Sequence, residues 1–410
     1  MYTITRDVRK DLASHNIHVT VEVIDVRGLS IRSFGILPSD LPTISAWNGH
    51  LQGTVIGYLD RINLEWTSLN VLHRGLGSTR DSCPRTLVIC AKDAAEDRWW
   101  QEALPTLRNL CRPTLEVELV YYDDNIDSRP DIPDSSWCKL RTDKCFGRWD
   151  VRGCLEGQDL GTFALSNHHV IETEILKNEL KRLKDKINGT PDRTGLRDSV
   201  ERGDVDKLPR LEESLEQARK RELELRKMAD LNRNVGYVYA SSGFRYSPSQ
   251  KYGFALDWSV TKVASPRSMQ NLLDEQFSQS FIGTGESPKY WRKGIPAGLR
   301  VAKVGRTSGW TVGHVNSTEA VFSEKSRYGK KVYGWTIVPE GIRDSFAAAG
   351  DSGAIIFDAD ESSATRGSWV GLLFSANLAE GFGYFVPIET VLQDISTITG
   401  CEILEPIVAD

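Results

Sequence analysis

The stretch AAAGDSGAIIFD (347–358) holds Ser352 between Gly350 and Gly353, directly ahead of a strongly β-like run. A serine in that setting sits on a tight turn with its hydroxyl exposed and nearby N–H groups aimed at one point, which suits an acyl-transfer nucleophile. The same residues also suit an ordinary turn. A serine hydroxyl is a poor nucleophile at neutral pH, so a base must lie nearby and a third group must fix its tautomer. SNHHVIE (166–172) supplies two adjacent histidines of the seven in the chain. Neighbouring residues of a strand or helix point different ways, so one histidine is a candidate base and the other structural. Asp257 stands alone in the apolar run FALDWSVTKV (254–263). An unpaired carboxylate is costly there, which makes it a better third member than any loop acid.

These groups need elements to hold them. After residue 234 the chain alternates short β-like segments with glycine and polar clusters: VGYVYAS (235–241), FALDWSVTKV, LRVAKVG (299–305), VYGWTIVP (332–339), GAIIFD (353–358) and WVGLLFSA (369–376). That pattern predicts an antiparallel barrel or sandwich, closed by a helix over PIETVLQDISTITG (387–400). Residues 1–130 predict a separate α/β domain. In it, TLVICA (86–91) and LEVELVYYD (115–123) are strands around a helical stretch that Pro105 divides. The acidic, proline-punctuated DDNIDSRPDIPDSS (123–136) is the best linker signal, and 131–139 is assigned as the linker. Between 172 and 232, Leu176, Leu180, Leu183 and Ile187 share one helical face, and Leu208, Leu211, Leu215 and Leu225 continue a similar seam beyond a turn at 188–195. A helical hairpin inserted in a domain spanning 140–410 is the expectation.

LSNHHVI, ALDWSV and AAAGDSGAII, in that order, resemble the His, Asp and Ser motifs of the chymotrypsin/trypsin-like serine peptidases. The resemblance covers roughly 140–405 and implies a mainly β double barrel. It aligns the family's histidine with His169 and leaves His168 to local packing. It implies that Ser352 attacks the carbonyl, His169 moves the proton and Asp257 orients the imidazole, with Gly350 and Ser352 N–H groups as the oxyanion hole. VGRTSGWTVGHV (304–315) is similar to the GRTTG-type stretch of bacterial and fungal members, which implies an Arg306 to Asp351 ion pair behind the nucleophile. By motif position, Phe346, Ala347, Phe374, Ser375, Ala376 and Gly383 would form the primary pocket. None is charged, so a preference for small or medium apolar side chains is expected. No metal or organic cofactor is required by this chemistry.

His169 and Asp257 lie 88 residues apart, longer than the family's usual spacing, and the hairpin accounts for the excess. Val170 stands where secreted animal members carry a cysteine, and the seven cysteines are odd in number and scattered, which fits reduced thiols. With no secretory signal pattern at MYTITRDVRKDLASH, an intracellular, cytoplasmic setting is the expectation. The net charge of −5 gives no general attraction to nucleic acid or anionic membrane, and ARKRELELRKMAD (218–230) balances its basic residues with glutamates. The expected partner is a polypeptide substrate, with a regulatory protein or a second copy engaging the N-terminal domain or hairpin. The reading is a serine endopeptidase; the alternative is a peptidase-like binding or scaffold protein with a blocked cleft.

Overall fold

The computed structural model describes residues 2–15, 31–122, 149–155, 158–167, 236–248, 253–263, 294–341 and 344–404. The acidic linker, the hairpin assigned to 172–232 and both His168 and His169 lie outside the described residues. Helix α1 (Tyr2–Ser14) and strand β1 (Arg32–Phe34) precede a helical run in which α2 (Leu41–Ala46) passes through a π-helical turn (Trp47–Leu51) into α3 (Gln52–Ile62). Pro42 lies in the first turn, where its missing N–H is harmless, and Asn63 ends the run in the left-handed conformation. Strands β2 (Trp66–Gly75) and β3 (Arg85–Ala91) pair antiparallel. A π-helical turn (Trp99–Ala103) and α4 (Leu104–Cys111) then lead to β4 (Glu116–Tyr121), parallel to β3. The strand–helix–strand order expected here is present, and Pro105 sits at the head of α4, where it divides the helical stretch.

Alternation along β2 and β3 serves two cores. Leu69, Val71, Leu87 and Ile89 pack with Trp47, Val55, Leu59, Trp99 and Leu107 on the helices, whereas Leu72, Val88 and Cys90 join the core of the strands that follow. Those strands are β5 (Trp149–Leu155), β6 (Gln158–Asn167), β7 (Gly236–Ser241), β8 (Arg245–Tyr246), β9 (Ala255–Leu256) and β10 (Trp258–Val263). Next come β11 (Arg300–Gly305), β12 (Gly309–Phe322), β13 (Val332–Pro339), β14 (Ile355–Asp358), β15 (Trp369–Asn377) and β16 (Phe382–Pro387). Helix α5 (Ile388–Thr399) and strand β17 (Glu402–Leu404) follow.

Six antiparallel strands run β11-β14-β15-β16-β13-β12 and close as β12 returns to β11 from Arg300↔His314 to Gly305↔Gly309. A second sheet runs β17-β5-β6-β10-β7. Helix α5 carries the chain between them: Ile388, Val391, Leu392 and Ile395 face the core, and Asp394 accepts the Trp258 indole N–H at 2.7 Å.

The N-terminal strands are not a detached layer. The far end of β12 pairs with β2 (Val321↔Leu69, Phe322↔Ser68), so β2, β3 and β4 extend the barrel sheet. A register shift between Val315 and Glu319 frees Asn316 from the ladder. Its amide donates to Val71 O at 3.0 Å and its carbonyl accepts from Ile36 N at 2.7 Å. Thr336 and Asn70 are joined at 2.9 Å, and Asn70 reaches the Tyr384 hydroxyl at 3.2 Å. Asn316, Thr336 and Asn70 thus find their hydrogen-bond partners across the seam.

Candidate active site

Ser352 lies half-buried in the loop between β13 and β14. Gly350 (φ 96°) and Gly353 (φ 88°) take backbone conformations that a side chain disfavours, which explains the glycines around it. A Cβ at Gly350 would also stand 2.5 Å from the Arg306 guanidinium and 2.8 Å from the Thr307 hydroxyl. Gly353 N donates to Leu373 O and Leu373 N to Ala354 O, each at 2.9 Å, which ties the loop to β15. Among the described residues, no acceptor is found for the N–H of Gly350 or of Ser352.

Asp351 anchors this loop from beneath. Its Oδ1 accepts from Thr307 N (2.8 Å) and Ser308 N (3.2 Å). Its Oδ2 accepts from Ala348 N (2.9 Å), Ser308 Oγ (2.6 Å) and Lys303 Nζ (3.1 Å). Both charged side chains are wholly buried. Burial alone would raise the Asp351 carboxyl, yet Lys303, the Ser308 hydroxyl and the amides hold it below the usual carboxylate range. Burial lowers the Lys303 ammonium despite the opposing pull of Asp351. Among the described residues, the cation found on Asp351 is Lys303, which points inward from β11, while the turn after that strand carries the Arg306 guanidinium over Gly350.

Asp257 is 6% exposed at the junction of β9 and β10. Strand β6 runs antiparallel to β10 with Asn167 opposite Trp258, so β6 ends beside the residue that follows Asp257. Burial pushes the Tyr328 phenol up; Arg327 and a hydrogen bond from Ser375 oppose this, and the charge of Asp257 adds to it. Asp257, Tyr328 and Ser375 thus form one neighbourhood.

Of the residues expected to line the primary pocket, Phe346 and Ala347 are fully buried. The Phe346 ring lies against Gly313 and Gly383, where added Cβ atoms would meet it at 3.0 and 2.6 Å, and Lys303 Nζ sits 5.4 Å from its centroid. Phe374 turns the other way, packing edge-to-face on Phe322 and Tyr328 at 5.9 and 5.7 Å. Ser375 and Ala376 are half-buried on β15. Lys303, Ser308 and Thr307 escaped the sequence reading. Lys303 carried the signal that singled out Asp257, a charge inside an apolar strand. Among the described residues, no group of three or more His, Cys, Asp or Glu could hold a metal ion, and no helix is long and apolar enough to cross a membrane.

Residues 221–403 match Peptidase family S64. That family is one of serine peptidases, and the match spans less than half of the chain. Its barrel is similar to solved structures at low identity. Cellulomonas bogoriensis chymotrypsin shares 16% identity over 40% of this chain and 75% of its own, with a TM-score of 0.26. A glutamic acid specific serine protease described as using a histidine triad in substrate binding shares 13% over 61% and 89%, at 0.30. Thermobifida fusca protease A shares 18% over 36% and 68%, at 0.25. No curated protein matches the chain.

Proposed function

We propose that the protein is an endopeptidase working through Ser352, His169 and Asp257. The observation that carries this reading is the oxyanion loop: Gly350 and Ser352 hold N–H groups without acceptors among the described residues, on a turn fastened by the buried Lys303–Asp351 pair. Ser352 Oγ attacks the scissile carbonyl as His169 takes its proton, and the negative oxygen settles against the two N–H groups. Collapse passes the proton from His169 to the leaving amine and leaves an acyl-enzyme, which water hydrolyses by the same steps in reverse order. Asp257 fixes the imidazole and stabilises its charged form. Strand β6 ends at Asn167 opposite Trp258, two residues ahead of His169 in the chain and one residue past Asp257 across the ladder, which supports pairing these two in the proposal. Phe346, filling the space at Gly313 and Gly383, favours small or medium apolar side chains in the pocket. Regulation is proposed for the N-terminal strands, whose seam with the barrel makes them part of the same body.

Covalent labelling with a fluorophosphonate probe tests the triad. Label is expected on the native chain and on His168→Ala, and is lost in Ser352→Ala and His169→Ala. Label retained in Ser352→Ala, or lost in His168→Ala but kept in His169→Ala, refutes the assignment.

A further inference from the structure

Beyond Leu373, where the pairing with β14 ends, one edge of β15 continues with no partner strand among the described residues, while its other edge pairs with β16. A register shift against β16 between Leu373 and Ser375 interrupts the regular alternation of the strand here. On this edge, Phe374 O accepts from Arg327 Nη2 at 2.9 Å and Ala376 O accepts from the Tyr122 hydroxyl at 2.8 Å. The two donors come from unrelated places. Tyr122 follows β4 directly and is fixed by its own N–H to Ala91 O at 3.1 Å. Arg327 is exposed in the turn between β12 and β13, with its Nε on the Tyr328 hydroxyl at 3.1 Å. Together with Ser68, Tyr328, Ser375 and Ala376 they enclose a narrow cleft.

A strand edge with main-chain carbonyls in a row is a template for an added extended peptide. Here that edge starts at the residue tied to the Ser352 loop. We propose that Tyr122 and Arg327 form a removable side-chain clasp on the edge of β15, standing in for the main-chain N–H groups of the extended polypeptide that must displace them. The proposal rests on the peptidase reading for its effect on turnover, but its binding claim stands alone. Each clasp bond exchanges for one substrate bond, so the clasp competes with the polypeptide without altering the strand. The Tyr122 bond also couples the edge to β4, and displacement of that strand would release it.

The test uses the full chain carrying Ser352→Ala, with binding of fluorescein-labelled casein, an extended polypeptide of mixed sequence, followed by anisotropy. Tyr122→Phe keeps the ring and removes the donor; Arg327→Ala alters an exposed residue. A net hydrogen bond of about 1 kcal/mol predicts Kd lowered about fivefold by each change, and more by both together. With Ser352 restored, KM for casein should fall by the same factors. Unchanged or weaker casein binding in the double variant overturns the clasp. Fluorophosphonate labelling of the same variants separates the two ideas. Tighter casein binding without labelling leaves the clasp and removes the peptidase mechanism, whereas labelling with unchanged casein binding does the reverse.

Discussion

Replacing Lys303 by methionine removes the only cation found on Asp351 among the described residues and leaves a wholly buried carboxylate. Breaking a buried pair in this way destabilises by about 3–5 kcal/mol. Asp351 keeps four other donors, Thr307 N, Ser308 N, Ser308 Oγ and Ala348 N, so the lower end applies. About 3 kcal/mol corresponds to a fall in melting temperature of roughly 6–12 °C for a domain of this size. Loosening the turn misplaces the Gly350 and Ser352 donors, and loss of one such donor lowers kcat by about 100-fold or more. The double variant Lys303→Met/Asp351→Asn removes both charges and should regain much of the stability, because no ion is left unpaired. Acid unfolding adds a sign. The lowered Asp351 pKa contributes stability above the ordinary carboxylate value that is lost as pH falls through the lowered one. Without Lys303 that loss begins at higher pH. Calorimetry across pH and single-turnover acylation measure both effects. A Lys303→Met chain with native melting and native acylation would refute the reasoning.

Further predictions concern Glu319, Phe346 and Gly383. Burial pushes the Glu319 carboxyl, on β12 opposite Trp335, up to about 7 from 4.5. The native state then holds a proton that the unfolded chain has released, so stability falls as pH rises from about 4.5 to about 7, by at most about 3 kcal/mol. Urea midpoints at pH 5 and 8 should show this fall in the native chain and much less in Glu319→Gln; equal slopes would reject it. Phe346→Ala should cost about 3–5 kcal/mol and raise turnover of peptides with larger side chains relative to small ones. Gly383→Ala, whose methyl would meet the Phe346 ring at 2.6 Å, should be better tolerated in the Phe346→Ala background than alone.

Local pattern revealed what local forces decide. Apolar runs marked β3, β4, β7, β11, β13, β15 and α5, because alternation and helical spacing are properties of a few consecutive residues. Strand β12 escaped, since its NST segment (316–318) reads as polar punctuation; those residues are buried in the seam with β2, a partner nothing nearby announces. The glycines around Ser352 and the lone Asp257 were legible because each violates a local preference. Lys303 violates one equally, but the neighbouring GRT turn drew attention to Arg306. The clasp was invisible, because hydrogen bonds from Tyr122 and Arg327 to β15 carbonyls leave no trace in composition.

The pairing of β2 with β12 also shapes how the protein is made. At about 5–20 residues per second, a ribosome needs roughly 10–50 s to travel the some 250 residues between Leu69 and Val321. During that interval the newborn β2–β3–β4 sheet exposes the stretch of β2 around Ser68 and Leu69 that β12 later pairs, together with Leu72, Val88 and Cys90 on the face later covered by the barrel. Such a nascent surface is sticky toward other chains. Chaperone occupancy should therefore peak on chains stalled between these two strands and decline once β12 has emerged.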